Sequence, residues 1–133
     1  MRTHIFVFSE KGARLALRVR EYFKDSTVHS IERLAAPYGF AAHRSIPVDM
    51  EPLFKEAELL VFIGACGIAV RSIAPYVKSK AAGPAVLVID DAGTFVIPIL
   101  SGHIGGANRM ARGLAGYFGA VPVITTATDL SLI

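Results

Sequence analysis

Leu59-Leu60-Val61-Phe62-Ile63, running directly into Gly64-Ala65-Cys66-Gly67 and then Ile68-Ala69-Val70-Arg71-Ser72-Ile73-Ala74-Pro75-Tyr76-Val77, decides the fold class. Five apolar residues with no polar alternation mark a strand covered on both faces, since a solvated face would call for a polar residue at every second position. Beyond the glycine turn, Val70, Ile73, Ala74 and Val77 recur at helical spacing. Pro75 shortens or kinks that helix. A doubly buried strand feeding a helix is half of a βαβ unit, so the neighbouring segments should repeat the alternation.

They do. Toward the N-terminus, Thr3 to Phe8 is β-branched and aromatic, Ser9 is a helix N-cap, and Leu15, Ala16, Val19, Tyr22 and Phe23 form one helical face. A weaker strand is expected at Thr27 to Ile31. Residues 32–48, which contain Pro37 and Pro47, read as irregular with a short helix, and Asp49 caps another helix through Phe54 and Lys55. Toward the C-terminus, Ala85 to Ile89 and Phe95 to Leu100 flank Asp90-Asp91-Ala92-Gly93-Thr94, which is hairpin chemistry. Pro98 places the second of these strands at an edge or at a bulge. Ser101 to Gly106 opens the clearest helix, with Ala107, Met110, Ala111, Leu114, Ala115 and Phe118 on its apolar face and Gly119 just past its end. Val121 to Ile124 is the last strand. The fold class is α/β: a three-layer sandwich with a mostly parallel sheet, Rossmann- or flavodoxin-like, containing one hairpin.

The chain has 133 residues, one domain's worth. Hydrophobic residues make up 53% and charged residues 19%, a composition that excludes intrinsic disorder. Mean hydropathy is +0.48, yet the apolar runs stop short of the roughly 20 residues a spanning helix requires. The N-terminus reaches Glu10 and Lys11 too soon for a signal peptide, so a cytoplasmic location and no membrane partner are expected. Cys66, alone, forms no internal disulfide. His4, His29 and His43 show no metal-ligand spacing. The net charge of +3 suits an anionic small molecule, and basic residues do not interleave with aromatics as in a nucleic-acid binder. Ten of the twelve glycines follow residue 58, where only eight of the 25 charges lie. Backbone in that half approaches a ligand or another element closely.

Ligands of open α/β sheets bind outside the carboxyl ends of the strands, so three loops carry the chemistry: Gly64 to Gly67, Ser101 to Gly106 and Thr125 to Asp129. The Gly64 and Gly67 amides either bind an anion at a helix start or merely permit a tight turn. Arg71 either clasps a carboxylate bidentately or stands in solvent. His103, beside Ser101 and three glycines, is the best general acid or base in the chain, with a structural hydrogen-bonding role as the alternative. Asp90 and Asp91 read as turn formers, while Asp129 at a strand exit orients a base. Thr125, Thr126 and Thr128 either donate to a carboxylate or simply finish a strand. The G-x-G-x-x-G, phosphate-loop and G-x-S-x-G signatures are absent, which weighs against nucleotide-binding and serine-hydrolase readings.

Four stretches carry a family likeness: Gly64-Ala65-Cys66-Gly67-Ile68-Ala69-Val70-Arg71, Ala85 to Gly93, Leu100-Ser101-Gly102-His103-Ile104-Gly105-Gly106-Ala107-Asn108, and Val123-Ile124-Thr125-Thr126-Ala127-Thr128-Asp129. Together they resemble the cobalt-precorrin-5A hydrolase family of anaerobic cobalamin biosynthesis. The resemblance implies hydrolytic opening of the δ-lactone of a cobalt-containing tetrapyrrole with release of acetaldehyde. It implies no cofactor beyond the cobalt carried by the substrate, and an anionic cobalt-tetrapyrrole as partner. His103, Ser101 and Asp129 would then be catalytic, with His103 as base. Gly64, Gly67, Arg71, Gly102, Gly105, Gly106, Asn108, Thr125 and Thr126 would bind substrate or the oxyanion. Family members usually continue past the last motif, so a missing C-terminal domain or a homo-oligomer is expected. The alternative is a non-catalytic tetrapyrrole-binding or partner-docking module holding half of a composite site.

Overall fold

The computed structural model describes residues 1–78, 83–101 and 106–127. These residues form seven strands in one sheet of order β3-β2-β1-β4-β5-β6-β7. In chain order the elements are β1 (Thr3–Val7), α1 (Glu10–Tyr22), β2 (Ser26–Ile31), α2 (Glu32–Ala35), β3 (Ala41–His43), α3 (Met50–Glu56), β4 (Leu59–Ile63), α4 (Cys66–Ile73), β5 (Ala85–Ile89), β6 (Phe95–Leu100), α5 (Ala107–Phe118) and β7 (Val121–Pro122). The strands β3 to β5 across this order are parallel, β6 is antiparallel to β5, and β7 is parallel to β6. The α/β sandwich with one hairpin is therefore the observed architecture.

Alternate residues of the central strands feed two cores. Ile5, Val7, Val61, Ile63, Leu87 and Ile89 pack with Ala13, Ala16 and Val19 of α1 and Ala111, Leu114 and Ala115 of α5. On the other face Phe6, Leu60, Phe62, Val86 and Val88 meet Met50 and Phe54 of α3 and Ala69 and Ile73 of α4. All five residues of β1, β4 and β5 are buried, as the unbroken apolar runs of β4 and β5 require, and β1 buries Thr3 and His4 along with its apolar residues. The first helix starts where the sequence places it: the Ser9 hydroxyl accepts the Gly12 N–H at 2.9 Å.

Several expectations shift. Residues 32–48 contain α2, a 3-10 turn at Ala36–Tyr38 and the edge strand β3, whose three residues are too few for a period to show. Asp49 precedes α3 without capping it through its side chain, which is engaged elsewhere. Val70 is 51% exposed; α4 buries Ala69, Ser72 and Ile73 instead, and Pro75 falls in a 3-10 turn that ends the helix. Pro98 lies next to a bulge, because Leu100 opposes Val86 while Pro98 opposes Leu87, leaving Ile99 extra. The last strand is short, β7 pairing through Val121 and Pro122 with the Val123 N–H donating to the Val96 carbonyl at 2.9 Å. Gly119, at φ 73°, closes α5 in the left-handed conformation read from sequence.

Candidate functional site

The carboxyl ends of β1 and β4 form the point where the chain winds off in opposite directions, the usual crevice of such sheets. Gly64 leaves β4 there at φ 152°, and its N–H donates to the Ile89 carbonyl at 2.8 Å. Gly67 is the second residue of α4 and Arg71 lies four further on, on the same helical face. The guanidinium folds back over the glycine: a Cβ on Gly67 would sit 3.2 Å from Nη1 of Arg71. Both are exposed, so this corner offers a cation beside a helix start.

The two aspartates after β5 share this edge and differ in role. Asp90 is the turn former expected, accepting the N–H groups of Thr94 and Phe95 at 2.8 and 2.7 Å. Asp91 is more than that. Its Oδ2 accepts the Ser9 hydroxyl at 2.9 Å, joining the hairpin to the start of α1, and its buried Oδ1 has no hydrogen-bond partner among the described residues. Gly12 makes the approach feasible, since a Cβ there would lie 3.1 Å from Oδ1.

The described residues of the other two predicted loops, Ser101, Gly106 and 125–127, lie toward the opposite end of the strands. Reversal at the hairpin sets Leu100 beside Val86 and thus level with Leu60, whereas Gly64 continues from Ile63 beside Ile89. Four residue steps separate the two levels, about 13 Å along the strands. Each loop follows the carboxyl end of its own strand, and the antiparallel direction of β6 sets the described loop ends at opposite ends of the sheet.

At this second edge Ser101 adopts φ 57°, the one positive φ at a non-glycine residue among those described. Such strain, about 1–2 kcal/mol, is typical of functional loops. Its carbonyl accepts the Ala107 N–H at 3.2 Å, and Gly106, at φ 83°, leads into α5. Asn108 is 4% exposed and donates from Nδ2 to Oγ1 of Thr126 at 2.8 Å, so two predicted ligand residues hold each other and fasten α5 to the segment after β7. Thr125 is exposed beside them. Gly102, His103, Gly105, Thr128 and Asp129 lie outside the described residues. A cleft of about 390 Å³ opens near the start of β5, lined by Phe54, Tyr76, Gly83, Glu51, Lys55 and Lys78. Lys55 pairs with Glu51 at 3.1 Å.

Sequence spacing overlooks one constellation. Glu56 Oε2, His4, His29, His43 and Asp49 Oδ2 form a continuous row, with successive contacts of 3.0, 2.8, 2.8 and 2.8 Å. The histidines come from three adjacent strands, 14 and 25 residues apart, so only strand alignment brings them together. Burial, and then His4 and His43, lower the pKa of His29 to about 3. Among the described residues no group of three or more His, Cys, Asp or Glu is arranged to hold a metal ion. Nor is any helix of the described residues long and apolar enough to cross a membrane.

Residues 49–129 match the family described as Cobalamin synthesis G N-terminal. A cobalt-precorrin-5A hydrolase of Salmonella typhimurium is 62% identical over 72 residues, which are 54% of this chain and 20% of that protein. One from Priestia megaterium is 49% identical over 86 residues, 65% of this chain and 23% of that protein. The chain thus aligns with under a quarter of either relative's length. The crystal structure of a cobalamin biosynthesis protein G homolog from Sulfolobus solfataricus superposes with a TM-score of 0.73 at 28% identity, covering 97% of this chain and 39% of that one.

Proposed function

The chain belongs to the cobalamin synthesis G N-terminal family, and from that premise we propose that it acts in anaerobic cobalamin biosynthesis as the N-terminal part of a cobalt-precorrin-5A hydrolase. The observation that carries this reading is the 62% identity to such a hydrolase across 72 residues. The reaction is hydrolytic: water adds to the δ-lactone carbonyl, the acyl C–O bond breaks to a carboxylate and an alkoxide, and the alkoxide collapses to acetaldehyde as the C–C bond joining it to the macrocycle breaks, its electron pair passing to the ring and taking up a proton. Cobalt arrives within the substrate, and the protein needs no cofactor of its own.

Lactone opening requires a base for the attacking water and donors for the oxyanion. His103 is the base, with Ser101 and Asp129 completing the catalytic group and the amides of Gly102, Gly105 and Gly106 facing the developing charge. Thr125 and Thr126 contact substrate, and Asn108 acts by fixing Thr126. Support comes from the strained Ser101 backbone and from the Asn108 to Thr126 bond, which draw the ends of these two loops together. The substrate's many carboxylates suit a chain of net charge +3. Arg71, over Gly67 and near Gly64, holds a peripheral carboxylate from the other edge.

A second reading follows from the short overlap with the relatives: the chain is a tetrapyrrole-binding or docking module that supplies half of a composite site. Anaerobic incubation of the chain with cobalt-precorrin-5A separates the two. Catalytic acetaldehyde release that disappears in His103→Ala supports the hydrolase reading. Tetrapyrrole binding without acetaldehyde supports the half-site. Absence of both binding and turnover refutes the substrate assignment. Arg71→Ala should weaken binding about tenfold while sparing the rate of bound substrate, the behaviour of a uniform carboxylate contact.

A further inference from the structure

The row Glu56, His4, His29, His43, Asp49 has a proton count that its geometry dictates. Every ring nitrogen of the three histidines lies 2.8–3.0 Å from a partner. A nitrogen-to-nitrogen contact at that distance needs one proton between the two lone pairs, and a carboxylate oxygen accepts one. Four contacts therefore need four protons. Three neutral imidazoles bring three, one each.

We propose that these five side chains form a single one-proton relay that latches α3 and the edge strand β3 to the sheet. The fourth proton resides at either end of the row. With the charge on His4, its Nδ1–H donates to Nε2 of His29, whose own proton on Nδ1 donates to Nε2 of His43. With the charge on His43, its Nε2–H donates to Nδ1 of His29, whose proton on Nε2 donates to Nδ1 of His4. Two hops interconvert these states: one from His4 to His29 and one from His29 to His43. No ring turns over, and one positive charge moves from β1 to β3. In both states His4 Nε2 and His43 Nδ1 keep their protons toward Glu56 and Asp49.

The surroundings favour charge at the ends. His29 is 4% exposed and stacks on Phe6 at 5.0 Å between ring centroids, so its cation would be buried against an aromatic face and between two other imidazoles. The terminal carboxylates are half-exposed, with side-chain exposures of 51% for Glu56 and 50% for Asp49. Protons can thus enter or leave at either end. Arg2 adds a positive charge near the Glu56 end, its Nε donating to the Glu56 carbonyl at 2.8 Å, while Lys55 and Glu51 on α3 pair with each other. Register runs the row obliquely across the sheet: His4 is level with Leu60, His29 opposes Phe6, and His43 opposes Ile31. Because Asp49 and Glu56 flank α3, the row fastens both ends of that helix.

A fifth proton would force two N–H groups to face each other, and loss of the fourth would oppose two lone pairs. Either event releases one contact. The test is histidine-detected nitrogen-15 spectroscopy of the full chain from pH 5.5 to 8.5. On the plateau around neutrality, His29 should remain neutral while His4 and His43 share about one imidazolium between them, with averaged shifts that move together. In His43→Gln the glutamine can donate or accept, the remaining rings are satisfied while neutral, and the shared signal should vanish. Three independent curves, each reaching a full imidazolium, would overturn the proposal. So would a wild-type row that stays wholly neutral from pH 6 to 8, whether or not the variant folds.

Discussion

Acidification from pH 7 to pH 5 should destabilise this protein through His29. Folding holds the pKa of that imidazole at about 3, against an ordinary unfolded value of about 6.5. A depressed histidine contributes stability that is fully present above about pH 6.5 and is lost progressively as pH falls toward 3, because the unfolded chain takes up a proton the folded chain refuses. Integrating that difference between pH 7 and pH 5 gives about 2 kcal/mol, with a slope near 1.3 kcal/mol per pH unit once the unfolded imidazole is charged. The assay is urea unfolding at pH 7, 6 and 5 on the wild type and on His29→Gln, compared through the slope of stability against pH. The variant will begin less stable, since it loses the Phe6 stack and at least one relay contact, but its line should be flatter by about 1.3 kcal/mol per unit. Parallel lines would refute the reasoning, because His29 would then bind its proton equally well folded and unfolded.

Three further outcomes test local features. Ser9→Ala should cost about 1–2 kcal/mol in thermal unfolding, since it removes both the α1 cap and the donor to Asp91. In Asp90→Ala the Thr94 and Phe95 amides lose their shared acceptor, so their hydrogen exchange should accelerate about tenfold, consistent with loss of about 1.4 kcal/mol of local protection. Gly119→Ala should lower stability by about 1 kcal/mol, because its φ of 73° suits glycine alone, and calorimetry would detect the shift.

The central strands were legible because β4 and β5 are apolar throughout, β1 is β-branched and aromatic, and the three are bounded by Ser9, Gly64 and Asp90, where local chemistry and burial agree. The strand β3 escaped notice because three residues of half-buried edge, Ala41 to His43, carry no period. Val70 misled since an apolar side chain on a short helix can face solvent without much penalty. For the candidate site, sequence identifies the loops but not their side of the sheet: that depends on the direction of β6, which the Asp90 to Thr94 turn reverses. The hairpin itself implies the reversal, since a tight turn joins antiparallel strands. The histidine row needs more, namely the registers β1 to β2 and β2 to β3, which no spacing within one segment contains.

That reversal at β6 also makes the two edges thermodynamically separate. Ser9 and Arg71 on one side and Asn108 and Thr126 on the other lie toward opposite ends of the strands, more than about 10 Å apart by strand rise, so the effects of substitutions there on folding should add. A ligand that spans the sheet would break this additivity, and one that sits at a single edge would leave it intact. Double-substitution cycles performed with and without bound tetrapyrrole therefore act as a ruler, reporting the breadth of the bound molecule's footprint from energies alone.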